Sequence, residues 1–180
     1  QKTGVDLPGE SCGIMFDYKN FHELEQATVA FGQGISVTPL QLVSAISACV
    51  NGGYLLQPHI LKEVRNNNNE IIYQAKRKVK RQVIKEETAK KVRDALESVV
   101  TDGGGRNAYI DGYRIGGKTG TAQKAVNGSY VGGGYILSFV GIAPIDDPQI
   151  VLYIAMDNPK NCIQYGGTTV APIARKMLLD

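Results

Sequence analysis

The sequence predicts an α+β fold, because two kinds of pattern occupy different parts of the chain. Apolar residues recur at helical spacing in residues 39–50, in residues 86–100 and after Thr169. The last third holds instead three extended runs, Tyr113 to Ala122, Ile136 to Ala143 and Ile150 to Met156. Only Pro144-Ile-Asp-Asp-Pro148 separates the second run from the third. A parallel pair needs a crossover of about a dozen residues or more, so these two runs must be antiparallel neighbours. The architecture that results is a three-stranded antiparallel sheet segment with helices packed against it.

In chain order, Lys2-Thr-Gly-Val-Asp-Leu-Pro-Gly-Glu10 is too rich in turn formers to begin a helix, and the stretch to Asn20 is expected to be an irregular arm. Within it Tyr18-Lys-Asn20 has the Y-x-N form of a polar catalytic motif, a three-letter match of little weight alone. A short helix is expected between Phe21 and Ala30. The next helix has clear punctuation: Thr38 as cap, Pro39 at the first position, where a missing N–H costs nothing, and Asn51-Gly-Gly53 as the stop. Leu40, Val43, Ile46 and Val50 form one face, and Leu42, Ala45, Ala48 and Cys49 make the others apolar too, which predicts burial on most sides. Tyr54 to Arg65 and Glu70 to Tyr73 read as extended segments of a surface hairpin that turns through Asn66-Asn-Asn-Asn69. Glu86 to Val100 is amphipathic, with Ala89, Val92, Leu96 and Val99 inward and Lys90, Lys91, Arg93 and Glu97 outward; Gly103-Gly-Gly105 ends it. A final helix follows Thr169, with Pro172 in its first turn and Val170, Ile173, Met177 and Leu178 on one face.

Composition narrows the function classes. With 180 residues, 43% of them hydrophobic, the chain can build the core of one ordinary domain, and a formal charge of +3 does not point to nucleic acid. The dense basic run Lys76-Arg-Lys-Val-Lys-Arg81 is expected to be a solvated strand edge, with Val79 and Val83 facing in. No apolar run approaches membrane-spanning length. Cys12, Cys49 and Cys162 lack C-x-x-C spacing, and His22 and His59 lie far from them in sequence, so neither a metal nor a cofactor is indicated. Cys49 reads as a small core residue; the spacing leaves a Cys12–Cys162 bridge open.

Chemistry concentrates in Gly112-Tyr-Arg-Ile-Gly-Gly-Lys-Thr-Gly-Thr121, where Lys118 stands among two threonine hydroxyls and four glycines. Strand positions without side chains leave amides open to close approach, which makes an anion-reading edge. Gly112 through Thr119 also fits the phosphate-loop pattern G-x-x-x-x-G-K-[ST], and Ile150 to Asp157 resembles an apolar strand ending in a Mg²⁺-binding aspartate. The context argues against nucleotide binding. A phosphate loop passes into a helix directly after Lys-Thr, whereas Gly120, Gly128 and Gly132-Gly-Gly134 follow here with no apolar stripe.

Six blocks together resemble the class B penicillin-binding proteins, in family order and over nearly the whole chain. They are Thr3-Gly-Val-Asp-Leu-Pro-Gly-Glu10, Phe31-Gly-Gln-Gly-Ile-Ser-Val-Thr-Pro-Leu-Gln41, Asn51-Gly-Gly53, Asn107-Ala-Tyr109, Lys118-Thr-Gly-Thr-Ala-Gln-Lys124 and Ser138-Phe-Val-Gly141. The resemblance implies the penicillin-binding transpeptidase fold, which is β-lactamase-like. It also implies a serine D,D-transpeptidase of division or sporulation that cross-links peptidoglycan stem peptides and is acylated by β-lactams. Such enzymes use S-x-x-K, S-x-N and K-T-G. Only the third is here: Ser11, Ser36, Ser44, Ser47, Ser98, Ser129 and Ser138 all lack a lysine three residues on and an asparagine two residues on. Residues 1–180 are therefore expected to be the C-terminal part of the transpeptidase domain, with the nucleophile upstream and the segment inactive by itself.

By the same resemblance, Lys118, Thr119, Gly120 and Thr121 are the catalytic residues. Lys118 and the Thr119 and Thr121 hydroxyls meet the terminal carboxylate of the peptide, and the Thr121 backbone N–H is one of two oxyanion donors. Gln123 is expected beside the substrate, Lys124 along the groove, and Tyr165-Gly-Gly167 in a structural turn. The implied partners are the stem peptide and, for the complete protein, β-lactams. Two upstream strands would complete the family's sheet, one of them beside Ile150 to Met156, so self-association or pairing with the missing half is expected. The implied location is the extracytoplasmic face of the bacterial membrane, with an anchor upstream. Two rival functions are a non-catalytic module that binds a carboxylate or an anionic wall polymer, and a β-lactamase. The latter is discounted because the Glu63-x-x-x-Asn67 spacing arises only from the asparagine tract.

Overall fold

The structure, a computed structural model, describes residues 1–17, 19, 21–30, 32–124 and 134–180. Tyr18 and Asn20 of the Y-x-N motif lie outside the described residues. The chain divides into two compact units, Gln1–Lys85 and Glu86–Asp180.

In the first unit, the arm is held by polar contacts rather than by regular structure. The Glu10 carboxylate accepts from the Thr3 hydroxyl and from the Thr3 and Gly4 N–H groups, which holds its pKa below the ordinary value. Helix α1 (Glu23–Ala30) follows, then α2 (Pro39–Val50). The start of α2 is as the sequence predicts: Thr38 Oγ1 accepts from the Gln41 N–H and the Gln41 side chain accepts from the Thr38 N–H, a reciprocal cap. Its stop uses Gly53 at φ +91°, where an added Cβ would overlap the Ile84 carbonyl. The expectation of burial on most sides fails. Only Ala48 and Val50 are buried, Ala45 is exposed, and the remaining core-type positions are half-buried. The helix packs on β1 (Tyr54–Leu56), and so short a strand covers one side of a helix that is apolar all round.

The stretch Tyr54 to Arg65, expected to be continuous, is broken in two. β1 pairs antiparallel with β4 (Val79–Gln82), while β2 (Glu63–Arg65) pairs with β3 (Ile71–Gln74). The break falls where the Asp6 carboxylate accepts from the Ile60 and Leu61 N–H groups at 2.7 and 3.0 Å, diverting those amides from any ladder. The β2–β3 turn runs through the asparagines as expected, with Asn69 at φ 63° and Asn66 Oδ1 accepting from the Asn68 and Glu70 N–H groups. The second half of the basic run, Val79 to Arg81, does lie in an exposed strand, but Val79 and Val83 are 45% and 40% exposed rather than inward. Within the run it is Lys80 that reaches back, donating to the Thr3 carbonyl.

The second unit opens with α3 (Glu86–Thr101) and a short 3-10 turn, Arg106–Ala108. The sheet then forms from β5 (Gly116–Gln123), β6 (Tyr135–Ala143) and β7 (Ile150–Asp157), in that order and antiparallel throughout. β5 begins three residues later than expected, because the Tyr113 N–H closes a turn onto Ile110 O and leaves Tyr113 67% exposed. Two short helices end the chain, α4 (Gly166–Thr169) and α5 (Ala171–Leu179). One sheet face, carrying Leu137 and Phe139 with Leu152, Ile154 and Met156 alongside, packs with Val100, Ile110, Val170, Ala171 and Ala174. Burial of side chains as large as Leu137 and Phe139 contributes roughly 1.5–3 kcal/mol each. Two α3 residues expected outward are not free. Glu97 accepts from the Arg114 guanidinium at 2.8 and 2.6 Å, and the Arg93 side chain is only 15% exposed.

Candidate active site

β5 is an edge strand, paired only with β6 among the described residues. Its register with β6 runs without a shift from Gly116↔Ile142 to Gln123↔Tyr135. Just beyond the two ends of that ladder, Lys124 N–H donates to Gly134 O, and Arg114 O accepts from the Ile145 N–H. In an antiparallel ladder the residues whose main-chain groups point at the partner alternate with those that point away. Lys118, Gly120 and Ala122 therefore turn their amides toward β6, while Thr119, Thr121 and Gln123 present theirs along the open edge. Side chains alternate as well, so Lys118 leaves from one face and the two threonines from the other.

Lys118 crosses that division by length. Its side chain is exposed, and the ammonium curls round to donate to the Thr119 carbonyl at 2.7 Å. The cation thus lies on the edge where the Thr119 and Thr121 main-chain groups are open. The Thr121 hydroxyl oxygen accepts from the Gly166 N–H at 3.2 Å, which leaves its proton to donate. An added Cβ on Gly120 would overlap Ser138 Oγ on β6, and the serine hydroxyl would have to rotate aside. A cation, a hydroxyl donor and free amides on one edge make a site for an anion such as a carboxylate.

Of the other candidates, Gln123 is exposed and makes one long contact, 3.5 Å to the Tyr135 hydroxyl. Lys124 is drawn away from the edge by an ion pair with Asp157 at 2.6 Å. That pair also occupies the aspartate of the phosphate-loop alternative, and residues 119–123 continue as strand where such a loop needs a helix. All three cysteines are free. Among the described residues no group of His, Cys, Asp and Glu is placed to hold a metal. Sequence reading missed the contribution of Gly166. Its only sequence signal was the Tyr165-Gly-Gly167 block, read as a turn and nothing more.

Comparison with known proteins places this edge in context. The family model described as the penicillin binding protein transpeptidase domain matches residues 1–179. Stage V sporulation protein D of Bacillus subtilis is 54% identical over the full chain, which spans 28% of that protein. The probable peptidoglycan D,D-transpeptidase PenA of Neisseria flavescens is 35% identical over 96% of the chain and 40% of its own length. Among solved structures, penicillin-binding protein 3 of Mycobacterium tuberculosis superposes with a TM-score of 0.88 at 34% identity, covering 98% of this chain and 42% of that one. The mixed helices and three-stranded antiparallel sheet are thus those of a penicillin-binding transpeptidase fold, and the chain belongs to the class B penicillin-binding protein family through its transpeptidase domain.

Proposed function

We propose that residues 1–180 are the C-terminal part of a transpeptidase domain and supply the K-T-G-T edge of a peptidoglycan D,D-transpeptidase active site. The observation that carries this reading is the open β5 edge, where the Lys118 ammonium, the Thr121 hydroxyl proton and the outward amides of Thr119 and Thr121 converge. In this reading the terminal carboxylate of a stem peptide lies along the edge, bound by Lys118 and by the Thr119 and Thr121 hydroxyls. A serine in the upstream part of the protein attacks the peptide carbonyl. The charge that develops on the carbonyl oxygen is met by the Thr121 N–H and by the serine's own N–H. One such donor contributes about 3–4 kcal/mol in the transition state. Gly120 keeps the strand thin where the peptide approaches, and Gln123 lies further along the same edge.

β-Lactams carry a carboxylate beside a reactive carbonyl and fit the same edge. The Mycobacterium tuberculosis relative has been solved with aztreonam and with ampicillin. Wall synthesis takes place outside the cytoplasmic membrane, and the complete protein is placed there, held by an anchor upstream; no described helix is long and apolar enough to cross a membrane. A purely carboxylate-binding or wall-polymer module is the weaker alternative, because relatives such as PenA are named as transpeptidases.

The test is Lys118→Ala in the complete protein. At 4 Å and an effective dielectric near 20, a cation attracts a carboxylate by about 4 kcal/mol before desolvation is subtracted. Acylation by a β-lactam should slow by roughly 100-fold or more, while the melting temperature stays unchanged because the side chain is exposed. Equal acylation rates in variant and parent would remove Lys118 from the site.

A further inference from the structure

We infer that the turn Tyr165–Gly167 at the start of α4 is a positioning device for Thr121, with Gly166 aiming its hydroxyl and Asn107 holding the turn in place. The inference rests on the carboxylate-binding reading of the β5 edge. A threonine hydroxyl has one proton and rotates freely unless its oxygen is engaged. Here the Gly166 N–H donates to Thr121 Oγ1 at 3.2 Å, while the hydroxyl proton has no acceptor among the described residues and the residue is exposed. The proton is left to the open edge, where a ligand carboxylate would take it.

The approach of the turn to the strand is close enough to demand glycine. A Cβ on Gly166 would overlap Gly120 O and lie 2.5 Å from Ser138 O, so the α4 start rests directly on the backbone of the K-T-G-T strand and its neighbour. Gly166 is not among the positive-φ glycines, so space rather than backbone conformation sets the requirement. The turn is also tied from behind. Asn107 Nδ2 donates to Gly167 O at 2.8 Å, and a Cβ on Gly167 would overlap Gly104 O. Asn107 and Gly166 thereby act through Thr121 and need not touch the substrate.

The experiment uses the complete transpeptidase and two probes, a β-lactam with a free carboxylate and its methyl ester, and reads second-order acylation rates. Asn107→Ala should slow the acid by roughly 10-fold, the loss expected for one hydrogen bond to a charged group, and leave the ester within about 2-fold, while Thr121→Val should cut the preference for acid over ester by roughly 10-fold. Thr121→Ser, which keeps the hydroxyl, should behave like the parent, and Asn107→Ala/Thr121→Val should be no slower than Thr121→Val alone. Gly166→Ala, whose methyl would press on the backbone at Gly120 O and Ser138 O, should slow acid and ester together, so Asn107→Ala is the deciding variant. Asn107→Ala acting on acid and ester alike, or on neither, while Thr121→Val discriminates, would overturn the inference and leave the carboxylate reading intact. Failure of Thr121→Val itself to discriminate would overturn that reading and the inference with it.

Discussion

Gly117→Ala tests how β5 is held. The added methyl would overlap Phe139 Cζ and lie 2.8 Å from Val140 O. Phe139 is fully buried, and Val140 O is a backbone atom that cannot swing aside. Overpacking of a well-filled core costs about 1–3 kcal/mol, and a site that cannot give belongs at the upper end. Replacing glycine in a strand returns roughly 0.5–1 kcal/mol by restricting the unfolded chain. The net loss is therefore about 2 kcal/mol, or roughly 4–8 °C in melting temperature for a chain of this size. Urea unfolding followed by far-UV circular dichroism should show a lower midpoint at unchanged slope. Adding Phe139→Leu should recover part of the loss, with a coupling of about 0.5–3 kcal/mol between the two sites. A Gly117→Ala protein that melts within about 1 °C of its parent would refute the socket around Phe139.

Incubated alone with penicillin, the 180-residue chain should give no covalent adduct by mass spectrometry, because none of its serines has the S-x-x-K partner; a stoichiometric adduct on one serine would overturn the division of the site between this chain and an upstream segment. The backbone hydrogen bond from Ile60, joined by that from Leu61, lowers the Asp6 pKa in the folded state. A lowered carboxylate contributes stability above its unfolded pKa, near 4, that is lost as pH falls through the folded value, so the first unit should weaken in acid and Asp6→Asn should flatten that acid limb. Melts of parent and variant with parallel acid limbs would show that Asp6 does not carry the dependence. β7 has one partner strand among the described residues, and Ile150 is exposed at its start. An open apolar edge is a template for another chain, so the isolated chain should sediment as a self-associated species or melt at low temperature; a monomer at high concentration with a sharp melt would disprove this.

What the sequence revealed and what it concealed divide along the range of the forces involved. The ends of α2 could be read because Thr38, Pro39 and Asn51 act within one helical turn of the boundaries they set. The K-T-G-T run could be singled out as a candidate because its lysine and threonines lie in consecutive residues of one strand, and the β6–β7 pair could be read because a short turn forces it. The exposure of α2 could not be read, since an apolar face says that a helix wants cover and not that it has any. Nor could the pairing of β1 with β4, which takes in only the end of the basic run, because Asp6, more than fifty positions before Ile60, takes two amides out of the intervening segment. Glu97 and Arg114 concealed their partnership for the same reason: each looks like a solvated charge until α3 and the approach to β5 come together.

The glycines of β5 connect these observations. A strand with three glycines among its first five residues is poor by its own propensity, each costing roughly 0.5–1 kcal/mol against alanine. Each is nonetheless filled from outside: Ile145 and Leu96 stand where a Cβ of Gly116 would be, Phe139 where that of Gly117 would be, and Ser138 Oγ where that of Gly120 would be. The core beneath the proposed ligand edge is thus built by the neighbours of β5 rather than by β5 itself, which leaves that strand with little but backbone, one lysine and two threonines to present to a ligand. The position of Lys118 and Thr121 is then set by Phe139 on β6 and by the α4 turn. If the β5 edge binds substrate as proposed, changes to residues that never touch a ligand, the buried Phe139 among them, should move that edge as well as weaken the fold.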